Sequence, residues 1–272
     1  MKKLLFFTIV LITALGFTIF NLYSYYAPPL EHQPYIIKQK SDDTLHIAYI
    51  GDSWAFMHKN HNCQISKIIG DSLQIPVVVH SFGICGITSK EFYESIFYNS
   101  SLTQFLQKRN YSCCFISLGI NDTYKKMSTD YYKYSMNYII KFLLANNIHP
   151  IIMEIPDYDI IKAYNRQVLS RKILRQLSML VNDIPLNCKQ LYRNSLDDII
   201  IENNYTNLLS VIRYKIWNNN RTKDFNTIYL NDGMHLNEKG YSKLDSCISE
   251  TYIRHCNSKN RRSTIFNENI VK

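Results

Sequence analysis

The stretch Thr44–Ala55, T-L-H-I-A-Y-I-G-D-S-W-A, decides the reading of this chain. Leu45–Ile50 is a short, β-rich apolar run, and its Ala48-Tyr49-Ile50 segment is continuous rather than alternating. That pattern suits a strand buried on both faces, as in a parallel sheet. The run breaks at Gly51-Asp52-Ser53, where a glycine permits a sharp turn. Open α/β sheets place their ligands at the carboxyl ends of strands. Trp54 and Ala55 then begin a stretch predicted to be helical through about Leu73. Ser53 therefore has two readings. It is a nucleophile with backbone N–H groups aimed at it, or Asp52 or Ser53 caps the helix. The local sequence leaves both open.

Outward from this stretch, strands and helices alternate. Ile75–His80 is predicted as a strand, followed by Gly83, Gly86 and a helical run from Ser89. Cys113–Leu118 is a strand and Ser128–Asn146 an amphipathic helix. Ile148–Ile155 is a strand whose Pro150 places its first residues at a sheet edge or a strand start. This alternation predicts a parallel, doubly wound α/β sheet. The pattern changes over 157–226. Ile160–Leu180 is predicted to be one helix with Ile161, Tyr164, Val168, Ile173 and Leu177 on one face, and Asp197–Trp217 another. No strand stands out, so the segment is expected to be a helical insertion over one end of the sheet. Thr227–Leu230 is expected as a last strand, Asn237–Cys256 as a closing helix and 258–272 as a polar tail.

The amino terminus differs in kind. Lys2 and Lys3 precede Leu4–Phe20, an uncharged, largely apolar run of 17 residues. Residues 1–26 are therefore expected to form a signal-anchor or signal peptide. Lysines ahead of the apolar run keep the amino terminus inside and export the rest. The proline-containing stretch 27–43 is expected to be a linker, leaving 44–257 as the folded domain, membrane-anchored or secreted.

Lys and Arg number 31 against 22 Asp and Glu, a net charge of +9. The cations are scattered, with small clusters at Lys38–Lys40, Lys125–Lys126 and Lys259–Arg262 and no basic stripe interleaved with aromatics. Nucleic acid is not an expected partner. The seven cysteines include no C-x-x-C pair, and no Cys/His spacing matches a zinc site.

Four short stations stand at predicted strand ends: Gly51-Asp52-Ser53, Gly83-Ile84-Cys85-Gly86-Ile87-Thr88-Ser89, Gly119-Ile120-Asn121-Asp122 and Asp232-Gly233-Met234-His235. In a parallel sheet these ends share one edge, so the loops converge there. A serine hydroxyl needs a base, and histidine titrates near neutrality. A carboxylate must hold the imidazole in the right tautomer, and Asp232 is one turn from His235. A developing oxyanion needs fixed donors, for which Ser53 N–H, a glycine N–H and the Asn121 amide are candidates. Taken singly, the Asn121 station is also an ordinary turn and the Asp232 station also an ordinary helix start.

This ordered set resembles the SGNH hydrolases, also called the GDSL-like lipase/acylhydrolase family. G-D-S resembles the first block of that family and V-V-H-S-F-G-I-C-G-I-T-S the second. L-G-I-N-D resembles the third and D-G-M-H-L-N the last. The resemblance covers roughly Leu45–Pro156 and Thr227–Cys256. It implies a flavodoxin-like α/β/α sandwich, with Ser53 as nucleophile and Asp232 and His235 as its triad partners. It also implies an oxyanion hole of Ser53, Gly86 and Asn121, alignment on G-x-T-S selecting Gly86 over Gly83, and it implies no metal and no organic cofactor. The α/β-hydrolase elbow G-x-S-x-G is not met, because Ala55 stands at its fifth position. The expected activity is that of a serine esterase acting on an acyl ester, with O-acetyl groups on carbohydrate as the favoured substrate. Two alternatives are an O-acyltransferase of cell-envelope polymers and a non-catalytic carbohydrate-binding protein.

Overall fold

The computed structural model describes residues 2–26, 33–36, 43–61, 63–98, 101–217 and 225–270. Along the chain the elements are α1 (Lys2–Tyr26), β1 (Leu45–Gly51), α2 (Ser53–His58), α3 (Ile65–Leu73), β2 (Val77–Gly83), α4 (Ser89–Phe97), α5 (Ser101–Gln107), β3 (Tyr111–Ser117), α6 (Ile120–Lys125), α7 (Thr129–Ala145) and β4 (His149–Met153). They continue with α8 (Ile160–Asn165), α9 (Leu169–Asn182), α10 (Lys189–Glu202), β5 (Ser210–Ile212), α11 (Tyr214–Trp217), α12 (Phe225–Ile228) and α13 (Glu238–Ile270).

The five strands form one sheet in the order β2-β1-β3-β4-β5, and every pairing is parallel. This is the flavodoxin-like strand order, whose switch point lies between β1 and β3. β1 is an interior strand between β2 and β3, and its Ile47, Ala48, Tyr49 and Ile50 are buried, as a strand covered on both faces requires. Helices α3 and α13 pack together as one layer, and α4, α7 and α10 make up a second. Pro150 is the second residue of β4, one position before pairing with β5 begins at Ile151, so its missing N–H costs no ladder bond there.

Several expectations need correction. The stretch from Trp54 to Leu73 is two helices, not one. The 157–226 segment is not purely helical, because Ser210–Ile212 supplies the fifth strand. Three residues are too few to show alternation, so β5 left no periodic signal. Thr227–Leu230 is not a sheet strand. Its first residues belong to α12, and Tyr229 makes an isolated bridge to Leu236 as the chain closes on itself around the Asp232 turn. The Ile160–Leu180 helix is broken into α8 and α9, and Ile161, Val168, Ile173 and Leu177 are exposed. The closing helix runs on to Ile270, since no glycine or proline interrupts it after Gly240.

The expected linker lies mostly outside the described residues, but its 33–36 portion docks on the domain. Tyr35 donates to Ile96 O at 2.9 Å, and its own carbonyl accepts from Asn146 Nδ2 at 3.0 Å. Residues 4–19 of α1 expose Leu4, Phe7, Leu11 and Phe17. Among the described residues no helix is long and apolar enough to cross a membrane, so the expected membrane span has no support from the structure.

Candidate active site

The sheet brings the first three stations to the mouth between β1 and β3, and the turn between α12 and α13 brings the fourth. At the end of β1, a Cβ on Gly51 would lie 2.3 Å from Ser117 O. Only glycine lets the chain cross so close to β3, where Asp52 N donates to Ser117 O at 3.1 Å. Asp52 is then the N-cap of α2, accepting from Trp54 N at 2.9 Å. The cap is thus Asp52, and Ser53 keeps its hydroxyl for another partner.

That partner is His235. Its Nε2 lies 3.0 Å from Ser53 Oγ, and its Nδ1 lies 2.6 Å from Asp232 Oδ2. The other Asp232 oxygen accepts from the backbone N–H groups of Met234 and His235, at 2.8 and 2.9 Å. Burial works to raise the Asp232 carboxyl. The hydrogen bonds from the His235 ring and from both backbone groups outweigh it and hold the carboxyl below the usual aspartate value. An ionised Asp232 takes the Nδ1–H tautomer, which leaves Nε2 able to accept the Ser53 proton.

The expected donors divide by environment. A Cβ on Gly83 would lie 2.1 Å from Phe56 N, so this glycine exists to let β2 meet α2. Gly86 has φ +76 and nothing near its absent Cβ. Among the described residues no acceptor meets the N–H of Gly86 or of Ser53, which stands at the first helical position of α2. Asn121 is buried at the start of α6, and its Nδ2 donates to Asp52 Oδ2 at 3.3 Å. Nδ2 carries two hydrogens, so one stays available. Burial, opposed by the bond from Trp54 N, pushes the Asp52 carboxyl up to about 7. Asp122 stitches the second and third stations together, accepting from Ser89 N at 2.9 Å and Ser89 Oγ at 2.5 Å. Burial raises its carboxyl to about 6 against those bonds.

Sequence reasoning missed the groups that hold the His235 turn. The Trp54 indole, beside the serine, donates to Met234 O at 3.1 Å, and Tyr241 Oη donates to Trp54 O at 3.2 Å. Asp159 N donates to Gly233 O at 2.9 Å, and Arg166 Nη1 to Asn231 O at 2.8 Å. Trp54 and Met234 are 180 residues apart, so no local signal could have joined them.

Among the described residues, His58, Cys63 and Asp245 bring one donor atom each within 4.8 Å of the others, as a metal site would. His58 Nε2 and Asp245 Oδ1 are already bonded to each other at 2.7 Å, and the cluster excludes Ser53. A cavity of about 380 Å3 between β5 and α13, lined by residues such as Ser210, Glu250 and Arg254, involves none of the four stations.

No protein-family model matches the chain, and no curated protein matches it. Solved structures do. A lipase/acylhydrolase from Enterococcus faecalis is 16% identical, with TM-score 0.53 over 76% of this chain and 94% of that one. The psychrotrophic esterase EstA from Pseudoalteromonas sp. is 17% identical, with TM-score 0.54 over 79% and 100%. The acetyl xylan esterase AlAXEase is 15% identical, with TM-score 0.52 over 75% and 98%. The chain therefore has the fold of the SGNH/GDSL-type lipases and esterases.

Proposed function

We propose that this chain is an SGNH-type serine ester hydrolase. The observation that carries the reading is the hydrogen-bonded line Ser53–His235–Asp232, at 3.0 and 2.6 Å, at the carboxyl ends of the strands. Ser53 Oγ attacks the ester carbonyl carbon and passes its proton to His235 Nε2. Asp232 stabilises the imidazolium. The tetrahedral oxyanion is held by Ser53 N–H, Gly86 N–H and the free hydrogen of Asn121 Nδ2. The C–O bond then breaks, and the alcohol leaves with the proton from His235. Water attacks the acyl-serine, again giving its proton to Nε2, and collapse returns that proton to Ser53 Oγ and frees the acid.

The favoured substrate is an O-acetyl group on carbohydrate. Support comes from the likeness to an acetyl xylan esterase and to an acetyl-xylooligosaccharide esterase from Geobacillus. A panel of acyl esters differing in chain length and alcohol tests it. Acetyl esters of sugars should be hydrolysed fastest, and preference for long acyl chains would reject the substrate. Running the panel with and without a sugar acceptor separates hydrolysis from transfer. Acetate release unchanged by acceptor supports the hydrolase, and acetyl appearing on the acceptor supports the transferase.

The further proposal that residues 1–26 anchor an exported domain rests on Lys2-Lys3 ahead of the uncharged run Leu4–Phe20. A reporter fused after Asp43 should behave as exported, and a cytoplasmic signal would overturn this.

A further inference from the structure

Helix α9 is amphipathic the wrong way round. An α-helix on a soluble domain buries its apolar stripe and exposes its polar face. In α9 the residues turned into the protein are Arg175 and Ser178, 8% and 0% exposed. Arg175 Nη1 donates to Lys125 O at 3.2 Å, and Ser178 Oγ to Leu174 O at 2.9 Å. The opposite face carries Leu169, Ile173, Leu177, Leu180 and Val181, with Leu169 73% and Leu180 79% exposed. At 100° per residue these five fall within one third of the helix circumference, centred away from Arg175 and Ser178. Ile161 of α8 and Val168 at the α9 N-cap are exposed as well.

The charge on this segment is one-sided. Between the capping residues Asp159 and Asp183 there is no acidic residue, while Lys162, Arg166, Arg171, Lys172 and Arg175 are basic. Lys162, Arg166 and Arg171 are exposed. An exposed aliphatic face on a segment whose interior charges are all cationic is the composition of a helix that lies in a membrane interface. A second copy of the chain is a poorer occupant, because a two-fold contact would set these cations against their own copies.

We propose that α8 and α9 dock on the surface of an anionic phospholipid bilayer, with the α9 aliphatic face in the acyl boundary and the exposed Lys162 and Arg171 toward the headgroups. This does not rest on the hydrolase reading. The docked segment is tied to the His235 turn through Asp159 N–Gly233 O and Arg166 Nη1–Asn231 O, so docking fixes how the Ser53 mouth sits relative to the bilayer.

The test uses the full-length chain carrying Leu180→Trp. The native Trp54 and Trp217 are fully buried and give a constant background. The variant is reconstituted with phosphatidylcholine vesicles that contain or lack phosphatidylserine. With anionic vesicles, emission from the introduced indole should shift to the blue and be quenched by lipids brominated on their acyl chains. Adding Lys162→Glu and Arg171→Glu should weaken that quenching severalfold. Emission that stays solvent-like on anionic vesicles overturns the proposal. So does a blue shift already present without lipid, which would mean that α1 or a second copy covers the face. A direct readout on the α9 face is needed, because α1 could retain the chain on vesicles by itself.

Discussion

Two imidazole–carboxylate pairs stand at opposite ends of helix α2. At its first residue, Ser53 meets His235, which is held by Asp232 only three positions away. At its last residue, His58 meets Asp245 at 2.7 Å across 187 positions. The first pair is half-buried, and its imidazole has a hydroxyl on the far nitrogen. Both side chains of the second are 1% exposed, with Ser81 Oγ 3.2 Å from His58 Nδ1 and Gln64 N donating to Asp245 Oδ2 at 2.7 Å. The same two groups thus do different work. An imidazole that substrate and water can reach is able to shuttle a proton. One sealed between α2 and α13 joins two segments of the fold.

Breaking the first pair should give the largest effect, and on turnover alone. Ser53→Ala or His235→Ala should lower kcat by about 10⁴ or more, and the double variant should be little worse than either single, because the groups act as a unit. Thermal unfolding should barely move. Breaking the second pair should do the reverse. Asp245→Asn leaves a buried imidazole without its counter-charge and should cost about 3–5 kcal/mol of stability. The protein that remains folded should keep its kcat, as read by denaturant titration alongside activity in the absence of denaturant.

A smaller loss belongs to the oxyanion side of the first pair. Asn121→Ala should lower kcat by about 10²–10³ with little change in KM. An unchanged kcat would remove Asn121 from the site and leave it as a partner of Asp52.

The smallest effect sharpens the contrast through pH. Burial lowers the His58 imidazole, but the Asp245 carboxylate and the Cys63 thiol beside it prevail and raise it to about 9. A histidine raised on folding contributes stability that is complete below its unfolded value, about 6.5, and is lost as pH rises through the folded one. Wild-type stability should therefore decline between about pH 6.5 and 9, and Asp245→Asn should flatten that limb. Asp232→Asn should leave it in place while still impairing turnover.

How much of this was legible in the sequence follows from range. The β1 strand, the Gly51 break and the four stations are local patterns, and parallel topology alone brings strand ends to one edge. The short spacing of Asp232 and His235 put their contact within reach of one turn. The His58–Asp245 pair, the Trp54 bond to Met234 O and the tie from Arg166 to Asn231 O join residues far apart in sequence, so no spacing encodes them. The strand β5 was too short to show a period. Over 160–180 the apolar spacing signals helix but not the break between α8 and α9, and periodicity gives a face and not its environment. The aliphatic face of α9 points outward.

The central claim is that Ser53 is a nucleophile activated by His235. The most direct test is a fluorophosphonate probe on the folded full-length chain, with the modified peptide mapped by mass spectrometry. One adduct is expected, on Ser53, absent in Ser53→Ala and formed far more slowly in His235→Ala. An unmodified Ser53 in folded protein, or labelling that proceeds equally well without His235, would contradict it.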